Sequence, residues 1–127
     1  MSSMWTDDEL RRIGGATELQ IASLRPDGTL RPYVTIWGVQ SGSDLYIRSA
    51  HGPENGWYRR AVGAGSGRVR AGGIEHDVRF QRLDVDSLDH AGIDAAYHAK
   101  YDSYGPRIVG GVVGPTAAKV TLHLLPR

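Results

Sequence analysis

The stretch LYIRSAHGPENGWYRRA, from Leu45 to Ala61, holds the residues most suited to chemistry. Arg48 ends a short strand-like run, and Arg59 and Arg60 follow a loop with two glycines and a proline. A glycine loop between a strand and a helix exposes backbone N–H groups, and the helix N-terminus adds partial positive charge. Guanidinium groups add donors whose fork matches phosphate or carboxylate. The pattern predicts an anion site, with a solvated loop as the alternative.

Aromatic residues near this loop predict a flat binding surface. Trp37 and Trp57 could stack on a tricyclic cofactor or an aromatic substrate, or they could be core residues. Tyr97, Tyr101 and Tyr104 form a stripe at helical spacing, which usually indicates packing. A tyrosine hydroxyl can also protonate a reduced substrate, so Tyr101 and Tyr104 are candidate general acids.

The five histidines do not form a metal-binding pattern, so no metal site is predicted. His51 lies inside the glycine loop, where it could contact a phosphate or transfer a proton at neutral pH. An isolated loop histidine can also be merely solvated. The chain has no cysteine, which excludes thiolate ligands and cysteine nucleophiles.

The composition fits one domain over residues 1–127. The formal net charge of +1 gives no electrostatic argument for nucleic acid. No signal-peptide pattern and no apolar stretch of membrane-spanning length is evident, so we expect a soluble, cytoplasmic protein without membrane contact. Thirteen of the 15 basic residues are arginine, which binds phosphate and carboxylate in bidentate fashion.

Local patterns predict the elements that carry these residues. Thr6 and Glu9 have capping-box spacing at the start of a short helix. Residues 18–49 read as three strands separated by the turns PDG and SGS, and Gly72–Gly73 is the turn of a hairpin. A helix is predicted over 87–104 and a last strand over 118–125. The total is six strands and two to three peripheral helices in an α+β, mainly β, antiparallel barrel.

The segment RPYVTIWGVQSGSDLYIRSAHGPENGWYRRA resembles the centre of the split β-barrel flavin and deazaflavin proteins, in particular the F420-dependent nitroreductases. The blocks R.DGTLR, IW.V, LY.RS…G…WYR.A and A..TL.L.PR also resemble a family of small uncharacterised bacterial proteins over essentially the whole length. The resemblance implies a six-stranded antiparallel split β-barrel that forms a homodimer and binds its cofactor at the dimer interface.

By position, the resemblance implies that the cofactor phosphate binds after the third strand and that the ring lies on the preceding strand. The implied phosphate residues are Arg48, Ser49, Gly52, Trp57 and Arg60, with the neighbouring Arg59 added from its charge. The implied ring contacts include Thr35 and Trp37.

The leading hypothesis is an oxidoreductase that binds F420 or FMN and moves a hydride to or from a small organic substrate. The alternatives are a non-catalytic binding protein and a cofactor-free enzyme whose groove takes an anionic substrate. A haem protein with His51, His76 or His98 as axial ligand is a further alternative.

Overall fold

The computed structural model describes residues 4–127 as a nearly closed antiparallel β-barrel with helices packed on its outside. The strands are β1 (Leu19–Ser23), β2 (Val34–Ile36), β3 (Gly38–Ser41), β4 (Asp44–Arg48), β5 (Ser66–Ala71), β6 (Ile74–Arg82) and β7 (Thr121–Pro126). The helices are α1 (Asp7–Gly15), α2 (Gly56–Ala64), α3 (Asp89–Tyr101), α4 (Pro106–Val109) and α5 (Pro115–Ala118), with a 3-10 turn over Asp102–Tyr104. None of the helices in this range is long and apolar enough to cross a membrane.

The strand order explains how the barrel closes. The sheet runs β2-β1-β5-β6-β7-β4-β3, so its two outermost strands are β2 and β3. These strands are consecutive in the chain, and only Trp37 separates them. β2 pairs with β1, and β3 pairs with β4. One bent segment therefore joins the two ends of the sheet.

Because of this bend, the barrel has seven strands and not the predicted six. The sequence predicts one alternating strand across residues 33–39, but Gly38 and Val39 are both buried, so the alternation stops at Trp37. Side chains cannot keep alternating between the two faces of the sheet through a bend where the chain changes from one partner strand to another.

The helices also exceed the predicted two to three. The segment after Tyr104 contains two single-turn helices, each beginning at a proline that follows a glycine with positive φ. Proline is favoured at the first helical position because its missing N–H has no partner there in any case. The second of these turns also shortens the last strand, which begins at Thr121 and not at the predicted residue 118.

The capping box and the hairpin are confirmed. The Glu9 backbone N–H donates to the Thr6 hydroxyl at 3.1 Å, and the Thr6 N–H donates to the Glu9 carboxylate at 2.9 Å. Gly72 and Gly73 connect β5 to β6 with φ of 58° and 82°. These values suit the two-residue hairpin turn that glycine favours.

Two apolar clusters stabilise the barrel. The larger cluster fills the barrel and includes Trp5 and Leu10, which pack from the α1 end. The smaller cluster lies between the β3–β4 hairpin and α3, and it contains Tyr97 and Tyr101, both fully buried. The tyrosine stripe of α3 is therefore mainly a packing surface.

We expect Gly38→Ala to destabilise the barrel, because an added Cβ would lie 2.7 Å from Leu19 Cδ2 and 3.2 Å from the Tyr46 carbonyl oxygen. Overpacking of this kind costs about 1–3 kcal/mol, which urea unfolding would measure. Gly63→Ala is the matched control, since no atom outside its own helix lies within 4 Å of the added Cβ. Alanine there should stabilise α2 by up to ~1 kcal/mol. Equal stability of the two variants would contradict a crowded corner at Gly38.

Candidate functional site

A cleft of about 310 Å³ lies beside the barrel corner and brings together several of the predicted site residues. We call it the aromatic cleft. It is lined by Glu18, Thr35, Ile36, Trp37, Arg48, Ala50, His51, Asn55, Trp57, Ile108 and Val112. Its volume is at the lower end of the roughly 300–1,000 Å³ typical of small-molecule sites.

Two tryptophans from different elements form the flat walls of this cleft. Trp37 sits at the bend between β2 and β3, and its ring stacks on Tyr101 with centroids 3.9 Å apart and planes 7° apart. Trp57 lies in the first turn of α2 and meets the Tyr58 ring edge-on. Both tryptophans are only partly buried, so part of each ring remains available to a ligand.

Arg48 is held inside the protein. Its side chain is completely buried. Nε donates to the Thr121 hydroxyl at 2.8 Å, and Nη1 donates to the Val112 carbonyl at 2.8 Å and to the Asp94 carboxylate. These partners occupy the Nε and Nη1 donors of the guanidinium group. Those donors are therefore not free to bind a phosphate. The residue ties β4 to β7, α3 and the segment before α5 instead.

His90 completes the surroundings of Arg48 and must be neutral to do so. Its Nδ1 lies 3.1 Å from Arg48 Nη2, and its Nε2 lies 2.8 Å from the Asp84 carbonyl oxygen. A guanidinium can only donate, so Nδ1 accepts and the ring proton sits on Nε2, where it is donated to that carbonyl. Asp94 also accepts from the Gly114 N–H at 3.3 Å, which links the α5 turn to this network.

The loop after β4 satisfies its own polar groups. Ser49 is buried, and its hydroxyl donates to the Gly52 carbonyl at 2.7 Å. Gly52 adopts a φ of 84°, which explains glycine at this position. His51 and Glu18, which directly precedes β1, are both exposed and line the cleft, so they are its exposed ionisable side chains.

The N-terminus of α2 leaves donors beside the cleft. Asn55 is the N-cap residue, but its side chain makes no capping hydrogen bond, and the first turn contains no acidic residue. The first N–H groups of a helix lack intrahelical partners and carry partial positive charge. Arg59 and Arg60 are exposed on this helix and do not line the aromatic cleft.

The two candidate general acids lie outside the aromatic cleft. The Tyr101 hydroxyl donates to the Thr17 carbonyl at 2.7 Å and accepts from the Gly38 N–H at 3.3 Å. Burial raises the pKa of Tyr101 to about 12, which further disfavours proton release. Tyr104 is half-exposed, and its ring lies 5.1 Å from the Trp37 ring at the edge of the corner.

Sequence reasoning missed several residues that the fold brings to this region. Glu18, Ile108 and Val112 line the cleft from segments that carry no local signal for a site. Asp94 and Thr121 are far from Arg48 in sequence, at separations of 46 and 73 residues. No local sequence pattern indicates this buried ion pair.

His76 and His98 lie outside the cleft, so only His51 could serve as a haem ligand there. Within residues 4–127, no cluster of three or more His, Cys, Asp or Glu side chains could hold a metal.

We expect Asp94→Ala to destabilise the protein strongly, because it leaves the Arg48 charge buried without its carboxylate. Removing one partner of a buried pair costs about 3–5 kcal/mol, and the lower end applies because the Asp94 side chain is 33% exposed. Asp86→Ala, at an exposed aspartate, should change stability by less than about 0.5 kcal/mol in the same denaturation experiment. Similar losses in both variants would show that Asp94 is not the essential partner.

Tyr101→Phe should also lower stability, by about 1–3 kcal/mol, because it leaves the Thr17 carbonyl and the Gly38 N–H without their partner. Tyr104→Phe is the matched control on the next turn and should unfold like the unaltered protein. A catalytic tyrosine would give the opposite pattern, with normal stability and lost turnover.

The comparisons with known proteins agree with this fold. A solved structure titled F420 reductase superimposes with a TM-score of 0.52 at 19% identity, covering 94% of this chain and 90% of that chain. At that identity the similarity concerns the fold alone. No curated protein matches the chain. The model of DUF2255, described as an uncharacterised protein conserved in bacteria, matches residues 9–124. The chain therefore belongs to the DUF2255 family of bacterial proteins.

Proposed function

We propose that the protein is an oxidoreductase that binds a flavin or deazaflavin ring, FMN or F420, in the aromatic cleft. The observation that carries the proposal is the pair of partly exposed tryptophans, Trp37 and Trp57, on one cleft at the barrel corner. Aromatic rings bind flat conjugated ligands by stacking and exclude water from them. The structural similarity to an F420 reductase supports the fold on which this cleft is built.

The residues of the cleft fit a planar, largely uncharged ring. Ile36, Ile108 and Val112 give it apolar surface, and Thr35 and Asn55 give it neutral hydrogen-bonding groups. The cofactor would supply the hydride chemistry when bound. The protein would hold and orient the ring and shield it from water. His51 is the group placed to exchange a proton with a substrate, because it is exposed and lines the cleft, and an imidazole ring can both donate and accept a proton.

A homodimer is part of this proposal. Ile108, which lines the cleft, is 54% exposed, and Tyr104, whose ring lies 5.1 Å from the Trp37 ring, is 49% exposed. A second copy placed there would cover apolar surface and enclose the ligand. Light scattering of the purified protein would test it, and a monomer at micromolar concentration would contradict it.

Trp57→Leu should weaken ring binding about tenfold, which corresponds to the ~1.4 kcal/mol expected for loss of one stacking partner. The measurement is a fluorescence titration with F420 and, separately, with FMN. Tyr33→Leu is the matched control, because Tyr33 packs under the Arg70 guanidinium outside the cleft. No saturable binding of either ring would overturn the proposed function. Tight binding without turnover of any reducible substrate would support a non-catalytic binding protein instead.

A further inference from the structure

A second cleft, of about 570 Å³, lies on the other side of α2 and is lined by three arginines: Arg25, Arg31 and Arg60. We call it the arginine cleft. Its remaining lining residues are neutral, namely Leu24, Pro26, Gly28, Gly63, Ala64 and Ser66. Three like charges around one space repel one another, and within residues 4–127 none of them pairs with a carboxylate.

The hydrogen-bond partners of Arg25 do not neutralise its charge. Arg25 donates to the Leu30 carbonyl at 2.9 Å and to the Thr29 hydroxyl at 3.3 Å, both of which are uncharged. The exposed Asp27 carboxylate accepts hydrogen bonds from Thr29 and attracts Arg25, but it forms no ion pair with Arg25. The C-terminal end of α2 contributes only about half a negative charge, against three full positive charges.

Arg31 has an unsatisfied donor. Its Nε is buried and has no hydrogen-bond partner among the described residues. Burying an unpaired donor is costly, although the buried Nε itself does not face the open cleft. Arg31 still lines the cleft, and guanidinium donors favour oxyanions. The same residue also lines a narrow gap with Trp57 and Arg60, so the arginine cleft and the aromatic cleft approach each other at Trp57.

We propose that the arginine cleft is a binding site for a phosphate or carboxylate group, held by Arg25, Arg31 and Arg60. Two sources could supply an anion of this chemistry. It is either the charged tail of a ligand whose ring lies in the aromatic cleft or a separate small anion. The proposal does not depend on the proposed redox function.

The first test is an NMR titration of the ¹⁵N-labelled protein with inorganic pyrophosphate at low ionic strength. We expect saturable shifts of the Gly28 and Ser66 amides and of the Arg31 Nε–H. Arg60→Gln should weaken this binding about tenfold or more, since it removes a charged donor. Arg59→Gln is the matched control, because Arg59 is adjacent, equally charged and outside the arginine cleft. Arg25→Gln is a second variant, in the loop between β1 and β2.

The proposal is overturned if Arg59→Gln and Arg60→Gln weaken pyrophosphate binding equally. It is also overturned if pyrophosphate changes the NMR chemical shifts of arginines over the whole surface without saturation. The second result would mean nonspecific attraction to a basic surface.

The second test compares FMN with riboflavin, which differ by one phosphate. Tighter binding of FMN that disappears in Arg60→Gln would identify the anion as the tail of the ring ligand. Equal binding of FMN and riboflavin, with pyrophosphate still bound at the arginine cleft, would identify a separate anion. Pyrophosphate binding without any flavin or F420 binding would support this site and overturn the proposed function. Ring binding without pyrophosphate binding, and with no preference for FMN, would overturn this site and support the proposed function.

Discussion

The backbone at Trp37 and Gly38 passes from one edge of the sheet to the other, and its N–H and C=O groups still need hydrogen-bond partners there. Buried backbone groups need partners, and a bend removes the regular ones. Side chains of α3 supply them. The Tyr97 hydroxyl donates to the Trp37 carbonyl at 3.4 Å, Lys100 Nζ donates to the Gly38 carbonyl at 2.6 Å, and the Tyr101 hydroxyl accepts from the Gly38 N–H. Closure of the barrel therefore depends on α3, and the position of Trp37 in the cleft depends on that closure. The arrangement has a cost at Lys100, because burial lowers the pKa of its ammonium group to about 8.

The sequence was informative where the determining contacts are local. The Thr6–Glu9 box and the Gly72–Gly73 turn are set by residues at most three positions apart, and both were predicted correctly. The barrel class followed from several such turns between β-rich runs. Thr35 was correctly placed on a strand, but Trp37 lies at the bend between β2 and β3. The bend was missed because the residues that stabilise it lie on α3, about 60 positions away.

Arg48 illustrates why the candidate site was harder to predict than the fold. An arginine at the end of a strand before a glycine loop can bind a ligand or can be a buried tether, and both uses need the same residue type. The choice depends on Asp94 and Thr121, whose proximity is a property of the folded chain. Five of the predicted site residues line the cleft together, namely Thr35, Trp37, Arg48, His51 and Trp57. Its other wall comes from Ile108 and Val112, in a segment whose glycines and prolines gave no periodic signal.

The position of β7 has a consequence for how the protein is made. This strand comes last along the described chain, yet it lies between β6 and β4 near the middle of the sheet. Among the described strands it is synthesised last, so β4 and β6 each have one unpaired edge until β7 has been made. The indole of Trp5 also bonds to the Leu124 carbonyl, across 119 residues of sequence. Stable closure of the barrel must therefore wait for β7, and until then the chain carries two unpaired strand edges on which chaperones or aggregation can act.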